Sequence, residues 1–283
     1  MKLIDLYKYI YHFLLKIYPQ SEAQSMSHLL FQHHTGHAVI DAISKHYNIL
    51  IEPKLEKIDA DLEKLAQHVP IQYITKKAEF YHSLLQIDEN VFIPRPETEG
   101  LVDWIVKSEA KVENLIDICC GSGCISVSLA KMKMAKKITA IDISLHAVAA
   151  TEKNAQLNNV QITVYQADIF SSKIETMLSQ PLSLIVSNPP YVRQSEKIFM
   201  QPNVLDYEPF EAIFVDDRQP LKFYKKIAQI GQNHLSENGK IYFEINEVFA
   251  TEIVDILHNM NYKNIEIKSD FYGKDRYVRA NFK

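Results

Sequence analysis

The apolar positions near the start of the chain recur with a helical period. Leu3, Leu6, Tyr7, Ile10, Leu14 and Ile17 fall on one face of a 3.6-residue repeat and predict an amphipathic helix. His12, Lys8 and Lys16 break and flank its most apolar stretch, which excludes a signal peptide. Ser21 and Gln24 have the spacing of a capping box for a second helix running through Leu30. Gly36 punctuates before a short helix around Ala38–Tyr47, and Leu55, Ile58, Leu62, Leu65 and Val69 form the stripe of another. Residues 1–70 therefore read as a helical domain. Over residues 71–95 the pattern shortens, and Phe80, Tyr81, Leu84, Leu85, Ile87, Val91 and Phe92 suggest a hairpin or extended linker. Ile93-Pro94-Arg95-Pro96 enforces extended backbone, because each proline restricts the residue before it; Pro96 then suits the first turn of a helix through Trp104 and Val106.

Residues 96–283 alternate between short apolar runs and helical stripes. Leu115–Ile118, Lys137–Ile141, Ile162–Gln166, Leu182–Val186, Ile241–Ile245, Ile265–Ile267 and Tyr277–Ala280 are strand candidates. Helices are expected at Ile125–Lys133, from the N-cap Ser144 to Asn158, at Leu221–Leu235 and around Ala250–His258, with Gly239 turning the chain into the fifth strand. Such alternation predicts an α/β fold with a mostly parallel sheet covered on both faces.

Composition narrows the function. The 283 residues carry a net charge of -4, and the pI is near 6.3. That disfavours a phosphate-driven grip on nucleic acid, for which a basic footprint is usual. The only cysteines, Cys119, Cys120 and Cys124, are clustered and odd in number, which is no disulfide framework and suits a reducing compartment. No apolar run approaches the ~18 residues of a membrane span. A soluble cytoplasmic protein is expected. Seven of the eleven histidines precede residue 71. His33, His34 and His37 invite a metal reading, but no Cys or carboxylate clusters with them in sequence, so surface or helix-end roles are expected and no metal.

Glycine is scarce, at seven residues, yet Gly121 and Gly123 share one loop. The segment Asp117-Ile118-Cys119-Cys120-Gly121-Ser122-Gly123 follows the first strand, where open α/β sheets bind ligands. Its glycines permit close backbone approach, and the next helix presents its N-terminus. Asp142 ends the following strand 25 residues after Asp117, near the offset of ribose-binding carboxylates, and Asp168 ends the third, where it could address an adenine amino group. Polar strand ends without a ligand are the competing reading. The three-glycine dinucleotide fingerprint is incomplete and no Lys-Ser/Thr follows Gly123, so an adenosyl ligand without pyrophosphate fits better. A thiolate nucleophile at the helix N-terminus is disfavoured, since His146 is the only histidine near it in sequence.

Asn188-Pro189-Pro190-Tyr191 after an apolar strand is the most specific signal. The prolines fix the backbone and remove donors, so the Asn188 side-chain oxygen and the Pro189 carbonyl can accept both hydrogens of one planar –NH2 group while Tyr191 stacks on it. Orienting such a poor nucleophile favours in-line attack on an electrophilic methyl. A proline-rich turn of purely structural purpose is the alternative.

Together with the glycine loop, this motif resembles the S-adenosylmethionine-dependent methyltransferases that act on planar nitrogen: adenine-N6, guanine-N2 and glutamine-N5 enzymes. Phe92-Ile93-Pro94-Arg95-Pro96-Glu97-Thr98-Glu99 is similar to the linker motif of the glutamine-N5 enzymes that modify release factors or ribosomal protein. Gln72-Tyr73-Ile74, Asp206-Tyr207-Glu208-Pro209 and Asp270-Phe271-Tyr272-Gly273-Lys274-Asp275-Arg276 resemble the release-factor branch. The resemblance implies a seven-stranded Rossmann-like class I methyltransferase sheet, a small N-terminal α-helical domain and a β-hairpin linker. It also implies the substrate, the glutamine of the Gly-Gly-Gln motif in class I peptide chain release factors. Ribosomal-protein glutamine and adenine-N6 or guanine-N2 nucleic-acid methylation stand as alternatives. The cofactor is S-adenosyl-L-methionine and the product S-adenosyl-L-homocysteine. By the same likeness Asp117, Cys119–Gly123 and Asp142 hold the cofactor's methionine and ribose, Asp168 and Ile169 its adenine, and Asn188 stands beside the methyl. Asn188, Pro189, Pro190 and Tyr191 hold the amide, with Arg95, Glu97 and Thr98 shaping the site. No nucleic acid or membrane is required, and a monomer is expected. One departure stands out: Cys119-Cys120 replaces the family's usual Gly-Thr, adding a Cβ where backbone approach is closest.

Overall fold

The computed structural model describes residues 1–44, 54–172, 174, 177, 178 and 181–282. The part of the predicted Ala38–Tyr47 helix beyond residue 44 lies outside them. The chain divides into two compact units, Met1–Lys77 with Gln201–Tyr207, and Ala78–Met200 with Glu208–Lys283.

The first unit is helical: α1 (Leu3–Leu14), α2 (Gln20–Thr35), α3 (Val39–Ile43), α4 (Leu55–Ala66) and α5 (Ile71–Thr75), with one further turn at Pro202–Leu205. The predicted apolar stripes meet in its core, where Leu6, Ile10, Leu14, Leu30, Phe31, Leu62 and Leu65 are wholly buried. The Ser21–Gln24 capping box does not form. Pro19 occupies the N-cap of α2, and helix geometry is already set at Gln20. Ser21 thus lies inside the first turn, where its carbonyl accepts from Ser25 Oγ at 3.0 Å. Gly36 ends α2 in the left-handed conformation, as a C-terminal glycine does. The histidine cluster also differs from the sequence pattern. Asp61, remote in sequence, pairs with His34 Nε2 at 3.1 Å and with Lys64 Nζ at 2.8 Å. It groups with His33 and His34, and His37 is not part of the set.

In the second unit β1 (Lys77–Phe80) and β2 (Ser83–Gln86) form the expected hairpin. Tyr81 and His82 both have positive φ, the turn geometry that matches strand twist. Helix α6 (Pro96–Ser108) opens on Pro96 at its first position. Then follow β3 (Val112–Ile118), α7 (Cys124–Lys131), β4 (Ala135–Asp142), α8 (Leu145–Leu157), β5 (Thr163–Gln166) and β6 (Leu182–Ser187). A short parallel pair, β7 (Val192–Arg193) and β8 (Phe214–Val215), lies in the long insertion. The chain continues with α9 (Lys222–His234), β9 (Leu235–Glu244), α10 (Ala250–Asn259), β10 (Tyr262–Ser269) and β11 (Asp275–Phe282).

The seven-stranded sheet has the order β10-β11-β9-β6-β3-β4-β5. All seven sequence candidates are in it. Every neighbour pair from β9 to β5 is parallel, and β11 runs antiparallel between β9 and β10. The chain builds outward from β3 to β5 and then returns to place β6 on the other side of β3. This switch opens a crevice beyond the carboxyl ends of β3 and β6, where a ligand can enter. Register sets the crevice floor: Ile118 is level with Ile141 and Ser187, and Ser187 with Phe243. β9 begins at Leu235, earlier than expected. The register on β6 jumps after that residue, and Asn238, just before Gly239, is left-handed with φ 64°.

Asn154 on α8 fastens the hairpin to this edge. Its Oδ1 accepts Gln86 N at 2.6 Å, and its Nδ2 donates to Gln86 O at 3.1 Å and Ser122 O at 2.9 Å. Asn154→Leu would bury one donor and two acceptors unpaired, so a loss of about 2–4 kcal/mol is expected in urea unfolding of the full chain; an unchanged midpoint would show the brace to be dispensable.

Candidate active site

The site begins at the end of β3. Asp117 is wholly buried; its Oδ2 accepts Ser126 N from the first turn of α7 at 3.0 Å, and its Oδ1 has no partner among the described residues. Burial pushes this carboxyl up to about 7, against the pull of Ser126. Three residues of the following loop take positive φ: Cys119 at 62°, Gly121 at 55° and Gly123 at 76°. A Cβ on Gly123 would lie 2.8 Å from Thr151 Cγ2, so only glycine lets α7 start this close to α8. A Cβ on Gly121 would meet nothing within 4 Å, which leaves that backbone open to a ligand. Cys119 holds a left-handed angle that glycine adopts freely, at a cost of about 1–2 kcal/mol.

The loop is braced from both sides. Gly121 N donates to Asp142 Oδ2 at 2.9 Å, Thr151 Oγ1 to Gly121 O at 3.1 Å, and Cys120 N to Ile141 O at 3.1 Å. Asp142 Oδ1 accepts Ser144 N at 2.9 Å. Burial raises the Asp142 carboxyl, with these backbone donors opposing. Burial also pushes up all three thiols, so they stay protonated and unreactive at neutral pH. Asp168 lies exposed past β5 and accepts Phe170 N at 2.9 Å, whereas Ile169 is buried.

Across the crevice, Ser187 Oγ donates to Ile118 O at 2.6 Å and locks the two strand ends together. Asn188 Nδ2 donates to Thr98 Oγ1 at 3.2 Å. Pro189 and Pro190 are buried. The Tyr191 hydroxyl donates to Glu244 Oε1 at 3.0 Å, and Asn246 Nδ2 donates to Tyr191 O at 3.4 Å. In the linker, Arg95 pairs with Glu208 at 2.5 Å while Glu208 also accepts Ile93 N. The Glu97 carbonyl accepts the Tyr277 hydroxyl at 2.6 Å. Thr98 alone of these three thus has its side chain on the Asn188 segment; Arg95 and Glu97 are tied to the insertion and to β11.

Sequence reasoning missed Thr151, Asn154 and Glu244, and it named Glu208 only within the Asp206-Tyr207-Glu208-Pro209 motif, with no role. For Glu244 a signal existed: it is the lone charge inside the apolar run Ile241–Ile245, where a parallel strand is buried on both faces. Thr151 and Asn154 stand three apart on one face of α8, a spacing that carries no chemical signature.

Two family models match the chain: one described as methyltransferase small domain over residues 97–204, the other as PrmC N-terminal domain over residues 5–75. The chain is 39% identical over 275 residues to the release factor glutamine methyltransferase of Flavobacterium psychrophilum, covering 95% of each chain. The chain belongs to the release factor glutamine methyltransferase family. The enzyme of that name from Bacteroides thetaiotaomicron is 38% identical over 273 residues, covering 96% of this chain and 98% of its own. In fold, this family member is similar to a methyltransferase from Pyrococcus furiosus, with a TM-score of 0.54 at 14% identity over 79% of this chain and 98% of that one. Among the described residues no helix is long and apolar enough to cross a membrane.

The raised Asp117 carboxyl predicts a pH effect on stability. The folded state keeps a proton up to about pH 7 that the unfolded chain releases near pH 4. The stability this contributes is complete below the unfolded value and is lost as pH rises through 7. Asp117→Asn mimics the protonated form. In denaturant titrations without cofactor the variant should gain on the wild type by on the order of 2–4 kcal/mol between pH 4 and 8. Parallel curves would contradict the assignment.

Proposed function

We propose that this chain transfers a methyl group from S-adenosyl-L-methionine to the side-chain amide N5 of the glutamine in the Gly-Gly-Gln motif of class I peptide chain release factors. The observation that carries the reading is the orientation of Asn188. Its Nδ2 is committed to Thr98, which leaves Oδ1 to accept from a substrate N–H beside the Pro189 carbonyl. The names of the relatives supply the substrate.

The chain's residues fit the cofactor. Asp117 Oδ1 is a buried acceptor without a partner, suited to the cationic amino group of a methionine moiety. The open backbone at Gly121 admits that moiety, Asp142 the ribose, and Asp168 with Ile169 the adenine. When bound, S-adenosylmethionine supplies an electrophilic sulfonium methyl and leaves as S-adenosyl-L-homocysteine. The protein's own part is orientation. Asn188 Oδ1 and Pro189 O take both amide hydrogens, and Tyr191 packs its ring against the amide plane. Such fixing of a weak nucleophile in an attack geometry is worth several kcal/mol. Arg95 and Glu97 hold the linker so that Thr98 meets Asn188. In this reading residues 1–70 recognise the release factor, 71–95 form the hairpin linker and 96–283 the catalytic domain of a cytoplasmic monomer that needs neither metal nor nucleic acid.

The test offers labelled S-adenosylmethionine with a release factor, a ribosomal protein, RNA and duplex DNA in parallel. Label is expected in the release factor, and none when its Gly-Gly-Gln glutamine is replaced by glutamate; label in the other substrates instead would refute the proposal. Asn188→Ala should lower kcat by about 10²–10³-fold while S-adenosylhomocysteine still binds in calorimetry. Undiminished turnover would remove Asn188 from its role.

A further inference from the structure

Glu244 has no place in the motif that carries the chemistry, yet both ends of that motif lead to it. It stands on β9, beside β6, and is 1% exposed. Its Oε1 accepts the Tyr191 hydroxyl, and its Oε2 has no partner with hydrogen-bond geometry among the described residues. The buried Thr98 hydroxyl favours the charged form of the carboxyl. The same hydroxyl oxygen receives Asn188 Nδ2. A carboxylate only accepts hydrogen bonds, whereas a hydroxyl can face either way and an amide can present either N or O. A buried carboxylate that fixes the Tyr191 hydroxyl as a donor can therefore also bias a neighbouring hydroxyl, and with it the amide bonded to that hydroxyl.

We propose that Glu244 is a positioning residue that sets the side-chain orientation of Asn188 through Thr98. Thr98 gives its only proton toward the carboxylate. Its oxygen is then left to accept from Asn188 Nδ2, and Asn188 Oδ1 turns to the substrate. Tyr191 is anchored from the same group. The inference rests on the reading above that Asn188 grips a planar amide.

The direction depends on charge. Burial raises the Glu244 carboxyl, with Thr98, Tyr191 and Arg276 pulling it down and Glu97 pushing it up. Cys124, Tyr224 and Tyr277 also face it. A protonated Glu244 donates to Thr98, whose own proton then goes to Asn188. The amide turns over and offers –NH2 to the substrate's –NH2, a pairing of two donors. An acid limb in kcat is expected above the ordinary glutamate range.

Glu244→Gln, a mimic of the protonated form, and Thr98→Val, which removes the hydroxyl at constant shape, should each lower kcat by about 10²-fold. KM and S-adenosylhomocysteine affinity should change little. Thr98→Ser should recover most of the turnover, the double variant should be no worse than either single one, and Glu244→Gln should lack the acid limb. Losses that multiply in the double variant, or a wild-type kcat in Glu244→Gln, would overturn the proposal. A second readout needs no turnover: in asparagine-labelled protein the 15N–1H signals of the Asn188 side-chain amide should shift in both variants. Unmoved signals would overturn the inference even if the natural substrate proved to be another. A wild-type enzyme that ignores the release factor, with shifted amide signals, would instead overturn the function and leave the positioning role standing.

Discussion

The structure is governed by carboxylates buried along the carboxyl edge of one sheet. Asp117 is the penultimate residue of β3, Asp142 ends β4 and Glu244 ends β9. Asp117 and Glu244 are held out of water and Asp142 is partly buried, and burial pushes each carboxyl upward. A buried carboxylate is tolerable only if donors are brought to it. Those donors are the backbone of the glycine loop, the first turn of α7, the N-cap of α8 and the hydroxyl of Tyr191. The loop conformations are thus consequences of satisfying three acceptors. Two oxygens, Asp117 Oδ1 and Glu244 Oε2, have no partner among the described residues.

The fold was legible because its signals are periodic. Seven apolar runs became the seven strands, and Pro96, Ser144 and Gly36 marked helix ends as their backbone chemistry requires. A signal that depended on a single side chain failed where a neighbour set the backbone first: Pro19 pre-empted the Ser21 cap. Within the candidate site, loop and motif residues were readable because glycine and proline advertise their geometry. Glu208, Asn154 and Thr151 were not, since each acts through a partner 30 to 115 residues away. Asp61 beside His34 is the same case in the first unit.

Cys119 shows that the loop tolerates a side chain at a left-handed position. The expected conflict between a Cβ and the backbone is absorbed as local strain at φ 62°, while the thiol packs against the β-sheet core. The rest of the loop keeps its hydrogen bonds. Glycine use in this loop is therefore selective: glycine stands where an added carbon would strike Thr151, at Gly123, and a side chain stands at Cys119, where the strain is carried.

The central claim is that this crevice holds a planar amide nitrogen in line for methylation. Fragmentation mass spectrometry of a release factor after reaction with the deuteromethyl form of S-adenosylmethionine tests it most directly. The label is expected on the side-chain nitrogen of one glutamine, within Gly-Gly-Gln; a label on a carboxylate, a thiol or any other atom would contradict the account.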